Sequence, residues 1–67
     1  MKSENVPRYV VIDLDNGEAY SSTIYGSRDR CERERNRIAL RDGKIVALGI
    51  GYKHDDGTIE DVTDASP

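Results

Sequence analysis

Residues 8–25 read RYVVIDLDNGEAYSSTIY, and this stretch decides the fold. Residues 8–14 contain three β-branched side chains and a tyrosine, which favour a pleated strand. Asn16-Gly17 is typical of a tight hairpin turn, because a type I′ turn needs positive φ at both central residues. Residues 18–25 are then the returning strand of a β-hairpin, and a two-residue loop places Tyr9 opposite Ile24.

A helix over residues 28–41 follows this hairpin. Ser27 precedes it as a favourable N-cap, because its hydroxyl can accept from an unpaired N–H group of the first turn. The run contains neither glycine nor proline and consists mostly of strong helix formers. Gly43 stands where a glycine commonly ends a helix in the left-handed conformation.

Two shorter strands complete the predicted domain, over residues 44–53 and residues 58–62. A turn at residues 55–57 (DDG) joins them into a second hairpin, with the last strand at a sheet edge. Gly49 and Gly51 lie inside a strand, which predicts a bulge, strong curvature or a close backbone approach.

The predicted fold class is therefore α+β, a small ββαββ domain in which antiparallel hairpins pack with a single helix. We expect residues 8–62 to form one domain. The polar segments at residues 1–7 and residues 63–67 are predicted to be a flexible N-terminal arm and a flexible C-terminal tail.

The composition excludes several kinds of stabilisation. The chain has 67 residues, with one cysteine, one histidine and a formal net charge of −3. A domain of this size buries only roughly 60% of the surface of its unfolded chain, so its core is thin. Cys31 cannot form an intrachain disulfide, and its lone thiol suits a reducing compartment. Cys31 and His54 cannot supply the roughly four ligands of a structural zinc site, so we expect no metal and no cofactor.

The hydropathy of the chain gives an expectation about its location. No apolar run approaches the roughly 18 residues that a membrane span requires. The polar N-terminal segment lacks the apolar stretch of a signal peptide. We therefore expect a cytoplasmic protein that does not bind membranes.

The candidate nucleophile and base do not form a catalytic arrangement. Cys31 is predicted on the helix face that packs against the sheet, where a cysteine behaves as a small apolar side chain. His54 falls in a predicted hairpin turn, where we expect its side chain to be solvated. General acid–base catalysis instead uses a desolvated or partnered group in a cleft. We expect that the protein is not an enzyme.

An arginine row on the predicted helix is the first candidate binding surface. At about 100° per residue, these side chains lie on the side away from Cys31 and Ile38. The row consists of Arg30, Arg33, Arg37 and Arg41. One interpretation is a solvated face with i,i+4 ion pairs: Arg28–Glu32, Asp29–Arg33 and Arg30–Glu34. The other is a row that binds carboxylates or phosphates through the planar guanidinium groups.

A second candidate surface lies on the sheet. The predicted pairing places four apolar or aromatic side chains on one sheet face: Tyr9, Val11, Tyr20 and Ile24. One interpretation is a register error of one residue, or terminal arms that fold over this face. The other is an exposed interface for a second copy of the chain or for another protein.

These observations favour a small non-enzymatic protein-binding module. Such a module would be a regulator, adaptor or inhibitor of a larger protein, and a phage-type accessory protein fits this size and character. A homodimer is a related expectation. The alternative is a nucleic-acid-associated regulator that uses the arginine-rich helix and stacks bases on the tyrosines. The acidic net charge makes nucleic acid the less favoured partner.

Overall fold

The computed structural model describes residues 7–44 and residues 46–64. It contains one helix and three strands: β1 (Tyr9–Asp13), α1 (Arg28–Asp42), β2 (Leu48–Lys53) and β3 (Ile59–Asp61). The strands form one antiparallel sheet in the order β1-β2-β3. The predicted α+β class is confirmed, whereas the predicted ββαββ topology is not, because the described residues contain three strands rather than four.

The missing strand is the run at residues 18–25. It lies antiparallel to β1, as predicted, but contacts it only through isolated bridges at Ala19 and Tyr25. Between these two bridges, β1 covers three positions, from Ile12 to Tyr9, whereas the opposite run covers six, from Ala19 to Tyr25. The three surplus residues bulge away from β1. Within the bulge, the hydroxyl of Ser21 accepts from the backbone N–H of Thr23 at 3.2 Å. Local hydrogen bonds of this kind compete with a regular ladder.

The hairpin loop is also longer than predicted, which changes the register. The carbonyl of Asp13 accepts from the N–H of Gly17 at 2.7 Å, and the N–H of Asp13 donates to the carbonyl of Glu18 at 2.8 Å. The loop therefore spans residues 14–17, and Gly17 takes a positive φ of 74°. At the far end, Tyr25 rather than Ile24 pairs with Tyr9.

The helix follows the prediction closely. The hydroxyl of Ser27 accepts from the backbone N–H of Arg30 at 3.2 Å, which caps the first turn. Gly43 has the left-handed conformation at φ 69°, and the N–H of Lys44 donates to the carbonyl of Ala39 at 2.8 Å. This bond, which spans five residues back, ends the helix as a Schellman motif.

One sheet face packs against α1 and forms the main core. Val11, Leu48 and Ile50 from the sheet meet Cys31, Ile38 and Ala39 from the helix. This arrangement corrects the prediction that the face bearing Tyr9, Val11, Tyr20 and Ile24 is open. Val11 has no exposed surface, because the helix covers it.

The opposite sheet face is closed by side chains that lie over the two glycines of β2. Val10 and Ile12 are buried there, and they pair with Gly51 and Gly49 across the ladder. A Cβ atom at Gly51 would lie 2.6 Å from Cγ2 of Ile12 and 2.6 Å from Cγ2 of Ile59. Side chains, rather than the predicted second backbone, therefore approach these glycines closely, and the absence of a Cβ atom lets them cover the face opposite α1.

Several predicted boundaries shift. The first residues of the predicted third strand form a turn, in which the N–H of Ala47 donates to the carbonyl of Lys44 at 3.0 Å. Thr63, assigned from sequence to the tail, is held in the fold because its hydroxyl accepts from the N–H of Ile50 at 3.0 Å. The predicted arm at residues 1–7, apart from Pro7, and the last three residues of the tail lie outside the described residues.

Replacement of Gly51 tests whether this close approach stabilises the fold. We expect Gly51→Ala to lower the free energy of unfolding by about 1–3 kcal/mol, because the added methyl group must displace stiff β-branched neighbours. Chemical denaturation with detection by circular dichroism measures this. Gly26→Ala is the matched control, since a Cβ there meets nothing within 4 Å, and its effect should stay within about 0.5 kcal/mol. Equal stability of the two variants would contradict this account of β2.

Candidate functional site: the outer face of the helix

The four arginines of the predicted row all lie on the exposed side of α1, away from the core. We call this surface, made of Arg30, Arg33, Arg37 and Arg41, the outer face. It arises because Cys31, Ile38 and Ala39 turn the opposite side of the helix onto the sheet. The structure therefore places the predicted residues together on one solvent-facing surface.

Two of these arginines are held by neighbouring carboxylates. Arg37 donates from Nη2 to Oε1 of Glu34 at 2.6 Å, and Arg41 donates from Nε to Oδ1 of Asp42 at 2.9 Å. Hydrogen bonds from Arg41 and from the hydroxyl of Tyr20 lower the pKa of the Asp42 carboxyl below its ordinary value. These are exposed pairs, which are typically worth only about 0–1 kcal/mol.

The other two arginines line a shallow depression near the start of the helix. Arg30 and Arg33 border it together with Ser27 and Glu34, and its volume is about 390 Å³. The structure shows no ion pair for either arginine among the residues that it describes. Of the three predicted i,i+4 pairs, the described part of the chain contains Arg28–Glu32 at 3.4 Å, whereas Glu34 pairs with Arg37 instead of Arg30.

Two further arginines serve the fold rather than the surface. Arg28 donates from Nη2 to the carbonyls of Val62 at 3.1 Å and Thr63 at 2.6 Å, and Arg35 donates from Nη1 to the carbonyl of Leu48 at 3.2 Å. Their side chains are only 20% and 18% exposed. These contacts tie the helix to the sheet. At about 100° per residue, Arg35 lies on the same side of the helix as Cys31 and Ile38. The sequence alone therefore indicated that Arg35 faces the core.

The second predicted surface does not form as one exposed patch. Val11 lies beneath the helix, and Tyr9 and Tyr20 pack against the core while half-buried. The hydroxyl of Tyr20 donates to Oδ2 of Asp42 at 2.8 Å and joins residues 18–25 to the end of the helix. Only Ile24 of the four is largely open, at 43% exposed.

An aromatic row across the sheet is the grouping that sequence reasoning missed. The ring of Tyr52 packs edge-on against Tyr9 at a centroid distance of 5.1 Å and against His54 at 5.0 Å. Tyr25 lies on the other side of Tyr9, since the two residues exchange backbone hydrogen bonds at 2.9 and 2.8 Å. The predicted register hid this row because it placed Ile24, not Tyr25, opposite Tyr9.

The two candidate catalytic side chains, Cys31 and His54, differ in their exposure to solvent. Cys31 is fully buried, and burial raises the pKa of its thiol to about 11. His54 contacts Glu60 at 2.9 Å at an exposed position. Among the described residues, no three His, Cys, Asp or Glu side chains gather where they could hold a metal ion. No helix in the described residues is long and apolar enough to cross a membrane.

The buried thiol predicts a pH dependence of stability. Between the ordinary thiol pKa near 9 and the folded value of about 11, the unfolded chain loses this proton while the folded chain keeps it. The free energy of unfolding should therefore fall as pH rises through this window. Denaturation at pH 8, 9 and 10 should show a steeper fall for the wild type than for Cys31→Ala. Parallel curves for the two proteins would contradict the buried, neutral thiol.

Comparison with known proteins gives this chain no relative from which a function could be transferred. No protein-family model matches it, and no curated protein and no solved structure matches it at a significant level.

Proposed function

We propose that this protein is a non-enzymatic binding module that attaches to a larger protein through the outer face of α1. The observation that carries the proposal is the separation of the arginines by role. Arg28 and Arg35 face inward and hold the fold, whereas the outer face presents four guanidinium groups on a rigid helix. A helix anchored by its core and capped at both ends offers these groups with little loss of backbone freedom on binding.

The chemistry of the outer face favours a partner surface with spaced carboxylates. A guanidinium group offers a planar fork of donors that can bind a carboxylate through two parallel hydrogen bonds. Arg37 and Arg41 already make such contacts with Glu34 and Asp42. Because exposed pairs of this kind are worth only about 0–1 kcal/mol, carboxylates of a partner can replace them at little cost.

A nucleic acid is a weaker fit to the same face. Glu34 and Asp42 lie directly beside the arginines and would stand close to a phosphate backbone. The net charge of the chain is also negative. A phosphate-binding face would show a steep loss of affinity with rising salt, because counterions are released on binding.

Charge reversal at the outer face tests the proposed function. Arg30→Glu combined with Arg33→Glu should reduce capture of the partner from a lysate of the source cells by tenfold or more, as quantified by mass spectrometry. Both positions are exposed, so the free energy of unfolding should change by no more than about 0.5 kcal/mol per site.

The matched control changes the net charge equally but away from the helix. Arg8→Glu combined with Lys53→Glu should capture the partner as well as the wild type does. The proposal fails if the helix variant captures the same partner undiminished. It also fails if the captured material is nucleic acid released by nuclease treatment.

A further inference from the structure

The end of α1 carries two apolar side chains that the fold does not use. Leu40, in the last turn of the helix, is 70% exposed, and Val46, in the turn that follows, is 90% exposed. The chain is folded back onto the helix end here, because the N–H of Lys44 donates to the carbonyl of Ala39 at 2.8 Å. Val46 then lies within the turn that the bond from Ala47 to Lys44 closes at 3.0 Å.

Basic residues flank Leu40 along the chain. Arg37 lies one helical turn before Leu40, and Arg41 and Lys44 follow it in the chain. On a helix, residues three or four positions apart are neighbours on the surface, so Arg37 and Leu40 share one side of α1. Leu40 follows Arg33 by seven residues, which is about two helical turns, so the two residues lie on nearly the same side of α1. Leu40 therefore continues the outer face rather than forming a separate surface.

We propose that Leu40 is the apolar centre of the interface whose arginines bind the partner. This inference rests on the proposed function and specifies its partner: a protein with an apolar pocket bordered by carboxylates. Protein interfaces commonly join a desolvated apolar centre to a polar rim, and a few central side chains carry most of the binding energy. Leu40 supplies the centre here, while Arg37, Arg41 and Lys44 supply the rim.

The ion pairs on this surface favour a protein over an anionic membrane. Glu34 and Asp42 lie among the basic side chains, and a diffuse anionic lipid surface would bring its headgroups against these carboxylates as well as against the arginines. Carboxylates fixed around a pocket can instead compete for each guanidinium group at a defined geometry. A second copy of the chain fits poorly, because a two-fold contact through this surface would bring its arginines together.

The test uses a synthetic helical peptide with leucines along one face and glutamates on both sides of them. Addition of this peptide to the ¹⁵N-labelled full chain should shift the amide resonances of Leu40, Arg41, Lys44 and Val46. The same peptide with lysine in place of glutamate should shift none of them. Leu40→Asp should weaken binding of the acidic peptide at least about tenfold, as expected when a central anchor of about 1.4 kcal/mol is lost.

A matched variant separates the surface from general apolarity. Ile24→Asp changes an exposed aliphatic residue outside the helix and should bind the acidic peptide like the wild type. Leu40 is largely exposed, so Leu40→Asp should keep the wild-type unfolding midpoint, which a denaturation curve checks.

Four results would overturn the inference. These are equal binding by Leu40→Asp and the wild type, no binding of the acidic peptide, binding to phosphatidylglycerol vesicles in its place, and concentration-dependent dimerisation that broadens the same resonances. One combination of results would contradict only the role of the apolar centre. In it, Leu40→Asp binds the acidic peptide like the wild type, whereas the double variant with Arg30→Glu and Arg33→Glu does not bind it. The proposed function would then stand, since its capture experiment does not depend on Leu40.

Discussion

The two faces of the small sheet must both be closed, and α1 can lie on only one of them. The rest of the structure depends on how this constraint is met. On the first face, Val11 and Ile50 pack beneath the helix. On the second face, β2 contributes glycines, so Val10 and Ile12 of β1 can lie across its backbone and become buried, and no helix in the described ranges covers them. Apolar side chains on both faces of the sheet are therefore buried in a chain of only 67 residues.

Because both sheet faces are closed in this way, the core does not depend on side chains from the exposed side of α1. Because the core needs only Cys31, Ile38 and Ala39 from α1, the remaining positions can carry charge. Two inward arginines donate to backbone carbonyls at the ends of strands, which fixes the position of the helix on the sheet. The outward arginines make only exposed contacts, which leaves them accessible for the proposed binding. The separation of these two groups connects the packing of the domain with its proposed function.

The helix and the hairpin show how unequally local sequence specifies structure. Ser27 and Gly43 mark the ends of α1 because capping hydrogen bonds involve residues only a few positions apart. The hairpin beginning at Asn16-Gly17 reverses the chain as expected, but a longer loop shifts its register. The longer loop alone would move the pairing by two residues and place Ser22 opposite Tyr9. The three surplus residues between the bridges at Ala19 and Tyr25 then move it by three in the other direction, so that Tyr25 rather than Ile24 lies beside Tyr9. Neither change is visible in the local sequence, and the aromatic row was therefore not predicted.

The sequence by itself determined the α+β class, the limits of the helix and the positions of the four outer-face arginines on its exposed side. Each of these depends on interactions between near neighbours or on a fixed period of the chain. Only the tertiary structure decided that residues 18–25 do not form a regular strand, which sheet face the helix covers, which side chains approach the β2 glycines, and that Arg28 and Arg35 bind backbone carbonyls just after β3 and at the start of β2. These outcomes depend on contacts between residues far apart in the chain, such as Arg28 with Thr63, whose geometry no local pattern encodes.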